Sequence, residues 1–206
     1  NIKLDYVIHN KWEKYMTIFE DIKADKDNLT YTEKGLNPVF YTPKSAKILI
    51  IGQAPGKKVQ ETEIMWNDAS GDRLREWLDV DRKQFYDSGN FGFISMDFYY
   101  PGKAKSGDKP PRGSIAKKWH PKLIASMPNL QLIVLIGSYA QKYYLHLART
   151  EKITDVVKNY KSYLPKYFPI IHPSPRNNIW LNRNPWFEKE VVPRLQAKVS
   201  DTIKEK

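Results

Sequence analysis

Four short apolar runs, each followed by a glycine- or proline-bearing polar segment, constrain this chain more than any other feature. They are 47-KILIIG-52, 91-FGFISM-96, 131-QLIVLIG-137 and 168-FPIIHP-173. Each is short and rich in Ile, Leu, Val or Phe, as strands buried on both faces are. Pro169 would remove a ladder bond from a central strand, so the fourth run is expected at a sheet edge. Helical patterns lie between the runs. Leu74, Trp77 and Leu78 share one face of Ser70–Leu78. Ser138 is placed to cap a helix whose Ala140, Tyr143, Tyr144 and Leu147 form a stripe. Asn184-Pro185 reads as the start of a last helix carrying Phe187, Val191 and Leu195, which Pro193 should kink or shorten. A further helix is expected near Asn10–Lys23.

Strands alternating with helices imply parallel pairing. The expected fold class is α/β: a three-layer α/β/α sandwich around a central, mainly parallel four-stranded sheet. The 206 residues suit one domain, with residues 1–44 as a helical or loop extension packed on it. Ligands of such sheets bind beyond the carboxyl ends of the strands. The segments at that edge are 52-GQAPG-56, the long stretch from Met96 to Arg112, 137-GSYAQ-141 and 172-HPSPRNN-178.

Composition narrows the chemistry. There is no cysteine, which excludes disulfides, thiol nucleophiles and cysteine-held zinc or iron–sulfur clusters. No metal site or cofactor is expected. No run is long enough to span a membrane, and 1-NIKLDYVIHNKWEKY-15 is too charged for a signal peptide; the absence of cysteine fits a reducing compartment, and a cytoplasmic protein is expected. A net charge of +11 favours a polyanion, nucleic acid first. Six Trp and thirteen Tyr mixed among the cations suit a groove that follows phosphates and stacks bases.

Two loops are the strongest candidates for chemistry. In 52-GQAPG-56, Gly52 and Gly56 allow close backbone approach to a ligand and Pro55 stiffens the turn. The backbone amides around Gln53 and Ala54 can point at an anion or a carbonyl oxygen. The loop is neither a Walker loop nor a GxGxxG turn. In 172-HPSPRNN-178, His172 ends the fourth strand and can donate to a developing negative charge while neutral. Pro173 and Pro175 preset the loop. Ser174 can bond a phosphate, and Arg176 can reach one or enter a groove.

The pair of loops, GQAPG after the first strand and HPSPRN after the last, resembles the uracil-DNA glycosylase superfamily. The similarity covers roughly Ser45 to Leu195 and extends to 66-WNDASGDRL-74. The resemblance implies a monofunctional DNA glycosylase, acting on uracil or another deaminated base flipped out of the helix. Gly52, Gln53, Ala54, Pro55 and Gly56 would hold the base, Trp66 would stack on it, and Met96 falls where many relatives read it. His172 would stabilise the oxyanion. Ser70, Ser174, Pro175, Arg176 and Asn177 would contact DNA. The sequence departs from its relatives at the usual acids: Ala54 and Gln53 stand where others carry Asp or Glu. A replacement carboxylate is sought at Asp97, Glu61 and Asp68, with Asp97 ranked first because it follows a buried strand. Asp97 has a second option, accepting a bond from a ring N–H of the base. The basic loop 99-YYPGKAKSGDKPPR-112 adds Lys103, Lys105 and Arg112 as DNA contacts.

The expected partner is damaged DNA, single- or double-stranded, met by a monomer. Two other readings stay open. One is a non-catalytic protein of this fold that binds lesions or single strands. The other is a small-molecule nucleotide or nucleobase protein, which would have little use for the surrounding lysines and arginines.

Overall fold

The computed structural model describes residues 17–204. The chain divides into two compact units, Asn1–Pro38 and Val39–Lys206. In the first, residues 17–24 are helical and one further helical turn spans Leu29–Thr32. Two side-chain bonds tie these pieces together: Asn28 Nδ2 donates to the Ile22 carbonyl at 2.7 Å, and Thr32 Oγ1 to that of Lys23 at 2.8 Å. The expected helix over 10–23 is present from residue 17; its earlier part lies outside the described residues.

The second unit is a three-layer α/β/α sandwich. Its elements run β1 (Ile48–Gly52), α1 (Lys57–Thr62), α2 (Ala69–Leu78), α3 (Arg82–Asp87), β2 (Phe91–Ser95), α4 (Gly113–Ala125), β3 (Leu132–Ile136), α5 (Gly137–Tyr144), α6 (Ile153–Lys158), β4 (Tyr167–Ile170), α7 (Asn178–Arg183) and α8 (Val192–Lys204). The four strands form one sheet in the order β2-β1-β3-β4, every neighbouring pair parallel. All residues of β1, β2 and β3 are buried, which is why each run lacks polar alternation. Pro169 sits in edge strand β4 opposite Leu135, where its missing N–H costs no inner ladder bond. The outer side of β2 is covered at one point: Tyr41 and Phe93 exchange backbone bonds of 2.8 and 2.6 Å as an antiparallel bridge.

Two local expectations change. Ser138 does not cap α5, because the helix starts at Gly137, directly off β3, and no side chain caps it. Gly137 has φ +79°, a left-handed turn suited to glycine, and takes the chain from strand to helix without an intervening loop. The helix ends at Tyr144, so Leu147 lies beyond it. Pro193 does not shorten the last helix either. A π-turn over Phe187–Val191 precedes α8, which then runs unbroken through Pro193 to Lys204. Widening the preceding turn is one way a helix accommodates a ring that cannot donate and needs room. The π-turn also seats Phe187 edge-on against Trp77 of α2, ring centroids 4.9 Å apart.

Candidate active site

Parallel strands end on one edge of the sheet, and here all four ends meet a single cleft of about 650 Å³. Gly52 of β1, Ser95 of β2, Gly137 after β3 and His172 after β4 all line it. β1 and β3 lie side by side at the point where strand order reverses, the position at which such sheets open a crevice. Gln53 and His172, 119 positions apart in sequence, therefore face one space.

The histidine is held in a defined state. The Ser174 backbone N–H donates to His172 Nδ1 at 3.1 Å. With Nδ1 used as acceptor, the neutral ring carries its proton on Nε2. Burial pushes the imidazole pKa down to about 4; nearby Asp68 works in the opposite direction and Arg176 in the same one. At neutral pH the group is an uncharged N–H donor. Its loop is braced from two sides. Asn177 Nδ2 donates to the His172 carbonyl at 2.8 Å, and Arg73 Nη1 reaches Asn178 Oδ1 at 2.9 Å and the Ser174 carbonyl at 3.4 Å.

Trp66 stands against this ring, centroids 5.8 Å apart and planes inclined by 42°. Its backbone is left-handed at φ +59°, unusual for a large residue. Several contacts hold it there. Buried Arg75 donates to the Trp66 carbonyl at 3.3 Å and to the Tyr86 hydroxyl at 3.4 Å, and it pairs with Asp72. Tyr86 in turn donates to the Met65 carbonyl at 2.8 Å. Helix α2 approaches so closely that a β-carbon on Gly71 would lie 1.6 Å from the Trp66 carbonyl oxygen. On the sheet side, a β-carbon on Gly52 would come within 3.0 Å of the indole and 3.3 Å of Ser95 Oγ. Both glycines are thus explained by Trp66.

Most of the expected site residues meet in the cleft: Gly52, Gln53, Ala54, Pro55, Gly56, Trp66, Ser70, His172, Ser174, Pro175, Arg176 and Asn177 all line it. Five do not. Met96 is buried, and its N–H continues the β1–β2 pairing by donating to the Gly52 carbonyl at 3.0 Å. The residue that faces the cleft from β2 is its predecessor, Ser95. Asp97 is fully buried and occupied. Arg112 grips both its oxygens, Nε to Oδ2 at 2.7 Å and Nη2 to Oδ1 at 2.6 Å, and the Arg112 and Tyr99 backbone N–H groups add two more bonds. Arg112 accordingly turns inward to anchor the base of the 99–112 loop. Lys103 and Lys105 are exposed on that loop, away from the cleft wall.

Two carboxylates line the cleft: Asp108, on the 99–112 loop, and Asp68. Asp68 caps α2, one oxygen accepting the Gly71 N–H at 3.0 Å. Glu61 lies outside, paired at 3.7 Å with exposed Lys57. The 99–112 loop folds into a small hairpin: Ala104 N–H to the Gly107 carbonyl at 3.0 Å and Lys109 N–H to that of Gly102 at 2.9 Å. Pro101, Asp108 and Lys109 bring it to the cleft mouth.

A buried relay not foreseen from sequence supports the floor. His120 Nε2 donates to the Ser95 carbonyl at 2.9 Å, while its Nδ1 lies 2.6 Å from the Tyr144 hydroxyl. Burial raises the Tyr144 pKa and lowers that of His120 to about 4, so Tyr144 keeps its proton and donates to a neutral ring.

No described helix is long and apolar enough to cross a membrane. Comparison with known proteins extends these observations. A solution NMR structure of a proposed uracil DNA glycosylase from Methanosarcina acetivorans matches with a TM-score of 0.43 and 14% identity, over 75% of this chain and 92% of that one. The profile of the Uracil DNA glycosylase superfamily matches residues 38–196, which spans all four strands and every cleft-lining residue. This chain belongs to the uracil DNA glycosylase superfamily.

Proposed function

We propose that the protein is a monofunctional DNA glycosylase that removes uracil or a related deaminated base flipped into the cleft. The observation that carries this reading is the meeting, in one open cleft, of the GQAPG loop, the Trp66 ring and a neutral His172 with its proton on Nε2. The base stacks on Trp66 and its carbonyl is received by the backbone of Gln53 and Ala54. The glycosidic bond breaks with its electron pair going to the base, leaving an oxocarbenium-like sugar. Charge growing on the base oxygen is met by His172 Nε2–H. A preorganised donor of this kind contributes ~3 kcal/mol, on the order of a hundredfold in rate. Water adds to the sugar carbon and gives up a proton. Asp68 takes the part that Ala54 and Gln53 cannot, because it faces the same cleft and its second oxygen has no partner within the described residues. Ser70 and Ser174 hold the flanking phosphates. Lys103 and Lys105 extend the contact along the backbone.

The test is incubation with oligonucleotides carrying uracil, hypoxanthine or xanthine, single- and double-stranded, followed by alkaline cleavage of abasic sites. At least one substrate should yield product. Asp68→Asn keeps the helix cap and should lower that rate about a hundredfold with DNA affinity retained. A second reading, a non-catalytic lesion binder, is favoured by the missing acids at Gln53 and Ala54. Tight binding with no product on any substrate decides for it.

A further inference from the structure

Both hydroxyls of a sugar within a DNA strand are esterified. A nucleotide drawn into the cleft therefore brings phosphates that repel a carboxylate and a sugar with no hydrogen to donate to one. Yet Asp108 lines the cleft, in company with Lys109, Arg176, Ser70 and Ser174. It stands near the end of the 102–109 hairpin, where the Lys103–Asp108 bridge and the Lys109 N–H bond to the Gly102 carbonyl fix its backbone. The hairpin is pinned at both roots: Gln60 of α1 accepts the Tyr100 N–H at 2.9 Å, and Arg112 grips Asp97. The Asp108 carboxylate itself is little engaged. The Tyr100 hydroxyl donates to its Oδ1 at a long 3.4 Å. Arg176 Nη1 lies 3.2 Å from where a Gly107 β-carbon would be, beside the hairpin, yet no cation forms an ion pair with Asp108 among the described residues.

We propose that Asp108 is a second catalytic carboxylate, which stabilises the positive charge that grows on the sugar of the flipped nucleotide as the glycosidic bond breaks. This rests on the DNA-glycosylase reading above. Depth favours the sugar over the base. The base takes the inner end of the cleft, at Trp66 and His172, and the sugar follows it toward the mouth, where the hairpin stands. The fields agree: Asp68 acts on the His172 ring, whereas Asp108 acts on the Tyr100 hydroxyl. The two carboxylates thus take different parts of one reaction. The C1′–N bond breaks with its electron pair going to the base, and the positive charge left on C1′ and O4′ faces Asp108. Water then adds to C1′ and its proton goes to Asp68. Asp108 neither gains nor loses a proton. An anion beside phosphates weakens ground-state binding, and it becomes favourable only as the sugar turns cationic. Its contribution is therefore confined to the transition state.

The experiment measures single-turnover excision and DNA affinity for wild type, Asp108→Asn, Asp108→Glu and Asp68→Asn, on whichever lesion wild type processes. Affinity is read on DNA carrying either of two uncleavable abasic analogues, a cationic pyrrolidine or the neutral tetrahydrofuran. Wild type should prefer the pyrrolidine by about a hundredfold. Asp108→Asn should excise about a hundredfold more slowly. It should also bind the tetrahydrofuran DNA about threefold more tightly at low salt and lose most of the preference for pyrrolidine. Asp108→Glu, which keeps the charge, should restore that preference. Asp68→Asn should excise slowly but retain it, because its part comes after the charge has formed. An unchanged rate in Asp108→Asn overturns the assignment, and so does a retained pyrrolidine preference. Rate and affinity falling together also overturn it, since they would make Asp108 a support of the hairpin. Wild type that excises no lesion overturns the glycosylase reading and the role with it, whereas an active wild type leaves every other outcome to bear on Asp108 alone.

Discussion

Two histidines with similarly depressed pKa values do different work. His172 faces the cleft with an N–H donor, and His172→Ala should cut excision about a hundredfold while leaving DNA affinity close to wild type; a collapse of affinity would make it a DNA contact instead. His120 has both nitrogens spent inside the fold. Its pKa falls from the ordinary 6.5 to about 4 on folding, so the unfolded chain binds a proton more readily between those values. Stability should therefore be full above about pH 6.5 and decline as pH falls toward 4, by at most roughly 3 kcal/mol from this group. Urea unfolding at pH 7 and pH 5 should show the loss. His120→Gln should be less stable at pH 7 and lose less on acidification; equal losses in both proteins would contradict the assignment. His172 was legible in the sequence because it closes a recognisable strand end. His120 was not, since a lone histidine beside Pro121 carries no sign that it will sit under Ser95.

At the scale of elements, the strands were readable and the helix ends were not. Unbroken apolar runs leave little freedom, and Pro169 located an edge by itself. Helix α4 escaped notice because Pro121 lies inside it and Pro110 and Pro111 precede it. The joins depend on contacts distant in sequence, as between α2 and the Trp66 loop. Gly71→Ala should lose about 3 kcal/mol in an unfolding titration, because its β-carbon would overlap the Trp66 carbonyl. A near-neutral result would mean that α2 can withdraw from the loop. Asp97 illustrates the same limit. A carboxylate after a buried strand reads as catalytic, yet whether an arginine fifteen positions on will take both its oxygens is settled only by how the 99–112 loop folds back. Asp68, beside the aromatic it helps to frame, had less to recommend it in sequence and stands in the cleft.

Across the whole molecule, parallel topology gathers loops from four strand ends, and a net charge of +11 suits a polyanionic partner. Affinity for DNA should fall linearly on a logarithmic salt axis, and removing Lys103 and Lys105 together should reduce the slope by about two. A salt-independent affinity would favour a nucleobase pocket over a DNA site. Alternation of strands and helices made this architecture legible, and with it the prediction that Gln53 and His172 share an opening. The most direct measurement is a structure bound to duplex DNA carrying 2′-fluorinated deoxyuridine or deoxyinosine, in which the fluorine resists formation of the oxocarbenium. The flipped base should lie against Trp66 with an exocyclic oxygen ~3 Å from His172 Nε2. A base still paired in its helix, or extruded to any other surface, would contradict the account.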